Sequence, residues 1–164
     1  EYLKVALILP VNVLITIPFL IFLFTRKSHS YYLVGFENFL FYAAMFFLSM
    51  GLFLAVWSVQ TFYTKGGEGT PGPWRPISNL VISGPYRYSR NPMILGVVIL
   101  LLFESALFAS IPFLLWATVF FIGNIIYFKT FEERELIQRF GTDYINYKNE
   151  VPMLFPKITP YNKE

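Results

Sequence analysis

Cysteine is absent from the 164 residues, and histidine occurs once, at His29. The first absence excludes disulfides, thiolate metal sites and a cysteine nucleophile. The second excludes a multi-histidine metal centre. Charge is scarce too: 14% of residues are Asp, Glu, Lys or Arg, against about 25% in an ordinary soluble domain. There is no Ser-His-Asp set, no phosphate-cradling glycine loop after a strand and no cluster with metal-ligand spacing. What is abundant is apolar. Hydrophobic residues make up 55% of the chain and aromatics 20%, and the mean hydropathy is +0.53. One small core cannot hide that much apolar surface from water. The composition therefore excludes disorder and a soluble enzyme and predicts an all-α integral membrane protein.

Three apolar stretches are long enough to matter. Val5 to Thr25 carries no charge and is bracketed by Lys4 and Arg26-Lys27. It lacks a small-residue cleavage site and reads as a span rather than a signal peptide. Pro10 and Pro18 predict kinks in it. Residues 39–63 form a second uncharged run, with Gly51 and Ala55 four apart on one helix face where another backbone can approach. Residues 93–128 are too long for one span and predict a tight helical hairpin, with spans at 93–107 and 112–128 and the turn within Ser105–Pro112. One domain, 1–164, is expected.

Charge position predicts orientation. Eleven of the 13 Lys and Arg residues lie at Lys4, in the 64–92 segment or in the 129–164 tail; only Arg26 and Lys27 lie on the other side. The positive-inside rule places the eleven, and both termini, in the cytoplasm. Because the basic residues are accounted for by topology, nucleic acid is excluded as a partner.

The two cytoplasmic segments are the only parts long enough to build a polar site. Lys65 to Pro76 is Gly- and Pro-rich loop. Leu80 to Ser83 reads as a short extended piece, turned by Gly84-Pro85, and Pro92 opens the third span. The tail begins with an amphipathic helix from Phe131 that ends at Gly141, followed by a second short helix over Thr142–Lys148 and an extended apolar stretch, Val151–Pro156. Three features can carry chemistry. Arg87 and Arg90 suit either anchoring to lipid phosphates or recognition of a carboxylate or phosphate. Glu132, Glu133 and Glu135 complement a helix dipole or bind a cation. Glu104 is a carboxyl near the far end of the third span, either partnered there or at the outer interface beside Ser105.

The run Gly84-Pro-Tyr-Arg-Tyr-Ser-Arg-Asn-Pro-Met-Ile-Leu-Gly96, followed in the tail by Glu132-Glu133, Leu136, Phe140-Gly141, Tyr144, Tyr147, Val151-Pro152 and Pro156, resembles the isoprenylcysteine carboxyl methyltransferase family and its relatives, the phospholipid methyltransferases. The resemblance covers about the last 90 residues. Two positions depart from the family pattern: its His is Asn91 here, and its Tyr is Ile94. The stretch Gly69 to Trp74 is similar to prokaryotic members of unassigned substrate. The departures bear on the acceptor more than on the reaction type.

The resemblance implies S-adenosylmethionine bound at the cytoplasmic face of a prokaryotic inner membrane, between the Tyr86–Gly96 segment and the tail. It implies cofactor contacts from Leu80, Val81, Gly84, Tyr86, Tyr88, Asn91, Pro92, Gly96, Glu132, Glu133, Met153 and Leu154, with Arg87, Arg90 and Glu132 as the catalytic group. Glu132 or Glu133 would pair with the ammonium, Arg90 or backbone N–H groups with the carboxylate, and Tyr86 or Tyr88 with the sulfonium. Leu80-Val81 and Met153-Leu154 would close over the adenine. The acceptor would be lipid-like: the carboxylate of a prenylated thiol-type compound, or a lipid amine. Two other readings stand beside it, an NADPH-dependent membrane reductase of the sterol-reductase type and a non-catalytic membrane scaffold. The paired glutamates favour a cationic ligand over NADPH, and the absence of internal repeats counts against a transporter-like scaffold.

Overall fold

A computed structural model of the chain describes residues 10–67 and 77–162, with helices and turns but no strand among the described residues. A π turn, Asn12–Thr16, leads into α1 (Ile17–Thr25). After it come α2 (Phe39–Lys65), a 3₁₀ turn (Gly84–Arg87), α3 (Pro92–Leu107) and α4 (Ile111–Tyr127). A second π turn (Phe128–Glu132) joins α4 to α5 (Glu133–Glu150). The first residues of the first expected span, the Gly69–Trp74 stretch and Arg75 lie outside the described residues.

Length and composition make two helical stretches able to cross a membrane: α2, and the apolar part of the continuous helix Ile111–Glu150. Asn12–Thr25 and Pro92–Leu107 are shorter apolar helices. Large apolar side chains stand exposed along α2, among them Phe39, Tyr42, Phe46 and Phe53. Water would not tolerate so continuous a face, and lipid would.

Contacts divide the chain into two compact units, Glu1–Phe53 with Gly96–Ile122 and Leu54–Leu95 with Gly123–Glu164. In the first, Val97, Leu101 and Ala117 form the buried core, with Val13, Leu14 and Trp116 packed on it. Pro18 has no N–H to offer the preceding turn, and the chain before it widens into the π turn. There the Val13 carbonyl accepts a hydrogen bond from Trp116 Nε1 at 3.1 Å. The close approach expected at Gly51 is observed: a Cβ there would sit 2.9 Å from the Leu100 side chain and 3.2 Å from the Gly96 carbonyl. The hairpin turn is tighter than the sequence suggested, running only from Phe108 to Ser110. Ser110 explains this. Its Oγ accepts from the Phe113 N–H, capping α4, and its own N–H donates to the Ser105 carbonyl. Glu104 is half-buried one turn before the end of α3 and makes no ion pair with a described residue.

In the second unit α5 is broken at Gly141, where φ 54° and ψ −129° lie outside any helix. The break falls where the sequence placed a helix end. The Phe131 start does not hold: the chain passes from α4 through the π turn into α5 without leaving the helical region. Beyond the break Tyr144 and Tyr147 are buried with Val151, and Leu80, Ile82, Leu136 and Tyr161 pack around them.

Candidate functional site

The site begins with a turn that only glycine can make at its first position. Gly84 has φ 56°, and a Cβ there would meet Thr61 Oγ1 at 2.7 Å and Trp57 Nε1 at 3.1 Å. Gly84 opens the 3₁₀ turn that carries Tyr86 and Arg87, and the following residues run in irregular backbone to Pro92, the first residue of α3. Irregular backbone needs hydrogen-bond partners from elsewhere, and here the tail supplies them. The Arg90 N–H donates to the Pro152 carbonyl at 2.9 Å, the Lys157 N–H to the Tyr88 carbonyl at 3.0 Å, and the Tyr161 N–H to the Arg87 carbonyl at 2.9 Å. Ser89 Oγ donates to the Met153 carbonyl and Tyr147 OH to the Tyr86 carbonyl. The 86–90 segment and the 151–161 tail are thus sewn together.

Arg90 is the centre of the seam. Its Nε donates to the Val151 carbonyl at 2.9 Å; its Nη1 donates to Glu133 Oε1 at 2.6 Å and to Tyr144 OH at 2.9 Å. The guanidinium also lies 5.4 Å from the centre of the Phe128 ring. Lys148 Nζ donates to the other Glu133 oxygen at 2.6 Å. Burial alone would raise the Glu133 pKa, but the hydrogen bonds and charges of Lys148 and Arg90 outweigh it and hold the carboxyl below its ordinary value. Burial pushes the Tyr144 phenol up to about 12, against the opposing pull of Arg90. Arg87 is likewise engaged: its Nε donates to the Tyr161 carbonyl at 2.8 Å and its Nη2 to Asn162 Oδ1.

Glu132 differs from its neighbour. Of the two, only Glu133 pairs with Arg90 and Lys148. Glu132 is half-buried and makes neither a hydrogen bond nor an ion pair with a described residue. Burial, and then the charge of Glu135, push its carboxyl up to about 7. Its charge in turn acts on the buried Tyr86 phenol, whose pKa is raised by burial first and by Glu132 second. A carboxylate half out of water, with aromatic neighbours and no cation, would gain from a cationic ligand.

The remaining expected contact residues are placed as follows. Val81, Pro92 and Leu154 are buried in the second unit, Leu80 packs on the Tyr144–Tyr147 cluster, and Tyr88, Asn91 and Met153 are half-buried. Gly96 belongs to the first unit, with its carbonyl against Gly51. A shallow open depression of about 310 Å³ is lined by Ile82, Ser83, Gly84, Arg87, Tyr161 and Asn162. Sequence reasoning missed Lys148, Phe128 and Tyr161. Lys148 lies 15 residues from Glu133, which in an unbroken helix is about 22 Å. The only signal for their meeting was the helix end expected at Gly141.

Comparison with known proteins adds three findings. The family model described as phospholipid methyltransferase matches residues 39–143, well over half of the chain. Methanethiol S-methyltransferase 2 of Bradyrhizobium diazoefficiens is 35% identical over 76 residues, covering 44% of this chain and 27% of that protein. No solved structure matches the chain.

Proposed function

The chain belongs to the phospholipid methyltransferase family, and from that premise we propose that it transfers a methyl group from S-adenosylmethionine to a hydrophobic or lipid-like acceptor at the cytoplasmic face of its membrane. The observation that carries this reading is Glu132, a half-buried carboxylate with no cationic partner among the described residues. The donor set fits the cofactor: a carboxylate for the ammonium, and Tyr86 beside it, with tyrosine faces suited to a sulfonium. When bound, the cofactor supplies an electrophilic methyl group. Everything else asked of the protein is alignment and exclusion of water. The seam between residues 86–90 and the tail supplies a rigid frame for that alignment, and Glu132 stands on the helix that the seam holds. A carboxylate acceptor would need no base; an amine acceptor would lose its proton to a Glu or Tyr other than Glu132, which is committed to the ammonium. The relative named above acts on a thiol by its name, so sulfur, nitrogen and oxygen acceptors all belong in the substrate screen. Four spans with both termini cytoplasmic remain the topology that the charge distribution favours.

The test is calorimetric titration of the detergent-purified protein with S-adenosylhomocysteine. Saturable binding by wild type, and at least tenfold weaker binding by a folded Glu132→Gln variant, is the expected result. Equal affinity in the two proteins would remove Glu132 from the role.

A further inference from the structure

The Glu133 carboxylate has two cations where one would neutralise it. Arg90 holds Oε1 and Lys148 holds Oε2, each at 2.6 Å. Arg90 and Glu133 are deeply buried, with side chains 8% and 11% exposed, whereas the Lys148 side chain is 36% exposed and sits at the rim. A carboxylate gripped at one oxygen can still rotate about its last bond; gripped at both, it cannot. Fixing Glu133 fixes the Arg90 guanidinium, and Arg90 ties the 86–90 segment to Val151 and Pro152 through its side chain and its N–H. Glu132 is the next residue to this ion cluster and has no share in it. We propose that Lys148 is a positioning residue: by occupying the second Glu133 oxygen it commits Arg90 to Glu133, locks the 86–90 segment to the tail, and leaves Glu132 to the ligand.

The ligand part of this inference rests on the functional reading above, and the locking part does not. Lys148→Met keeps the aliphatic stem and, at this rim position, opens no buried cavity. Lys148→Arg keeps the charge. Arg139→Gln, which breaks the exposed Arg139–Glu135 pair, is the control. Two quantities are measured in detergent on all four proteins: hydrogen exchange of the Arg90, Lys157 and Tyr161 amides without ligand, and the Kd for S-adenosylhomocysteine. Lys148→Met is expected to speed exchange at these amides about tenfold and to raise Kd about tenfold, each equivalent to about 1.4 kcal/mol. Lys148→Arg is expected to restore both, and Arg139→Gln to leave exchange unchanged. Unchanged exchange in Lys148→Met overturns the lock. Faster exchange with unchanged Kd overturns the positioning role and leaves Lys148 a structural residue. Failure of Lys148→Arg to rescue overturns the charge argument. Wild type that binds no S-adenosylhomocysteine defeats the functional reading and the ligand part together, while exchange still judges the lock.

Discussion

At the scale of single residues, two adjacent glutamates have opposite electrostatic fates. Glu133 is paired, and its lowered pKa stabilises the fold above the pKa of an unfolded glutamate; that contribution is lost as pH falls through the folded value. Glu132 is unpaired among the described residues and raised to about 7, so its ionisation opposes folding as pH rises toward 7 and favours a cationic ligand above it. The affinity for S-adenosylhomocysteine should therefore increase between pH 6 and pH 8, and Glu132→Gln should flatten that profile. A wild-type affinity that is constant over this range would contradict the assignment. Arg90→Met should lower stability by about 3–5 kcal/mol, the loss typical when one member of a buried ion pair is removed, as read from denaturant unfolding in detergent. Arg90→Lys should recover little of it, because the Nε and Nη1 bonds need the guanidinium fork. None of this pairing was legible in the sequence. Arg90 and Glu133 are 43 residues apart, and an arginine at a membrane edge suits an anchor, an anion receptor and a clamp equally.

At the scale of elements, the helices were largely legible and the way their ends are secured was not. Long apolar runs mark α2 and the α3–α4 hairpin because apolar length alone predicts a helix in lipid. The π turns left no such mark. The one before α1 follows from Pro18, but the one before α5 is visible only in the folded chain. Gly51 was legible as a close-approach position by its spacing with Ala55, and a substitution there tests the packing. Gly51→Val should cost about 1–3 kcal/mol through overpacking against Leu100 and the Gly96 carbonyl. Gly123→Ala, where a Cβ meets nothing within 4 Å, should stabilise its helix by up to about 1 kcal/mol. Thermal unfolding of the two variants side by side checks the contrast, and equal shifts of the same sign would refute it.

At the scale of the whole molecule, the family match over residues 39–143 runs from α2 through the polar segment and the α3–α4 hairpin into the first part of the tail. The absence of cysteine makes its topology directly measurable, since any introduced thiol is the sole one. Ser30→Cys should react with a membrane-impermeant maleimide in intact cells. Asn146→Cys should react only after permeabilisation. The reverse pattern would invert the orientation argued from the basic residues. The central claim, methyl transfer to a lipid-like acceptor, is tested most directly by incubating the purified protein with S-adenosylmethionine labelled in its methyl group and a lipid extract of the host membrane. The account predicts label in the organic phase that depends on the protein and falls at least tenfold with Glu132→Gln. An organic phase that stays unlabelled, with protein shown to be folded, would contradict it.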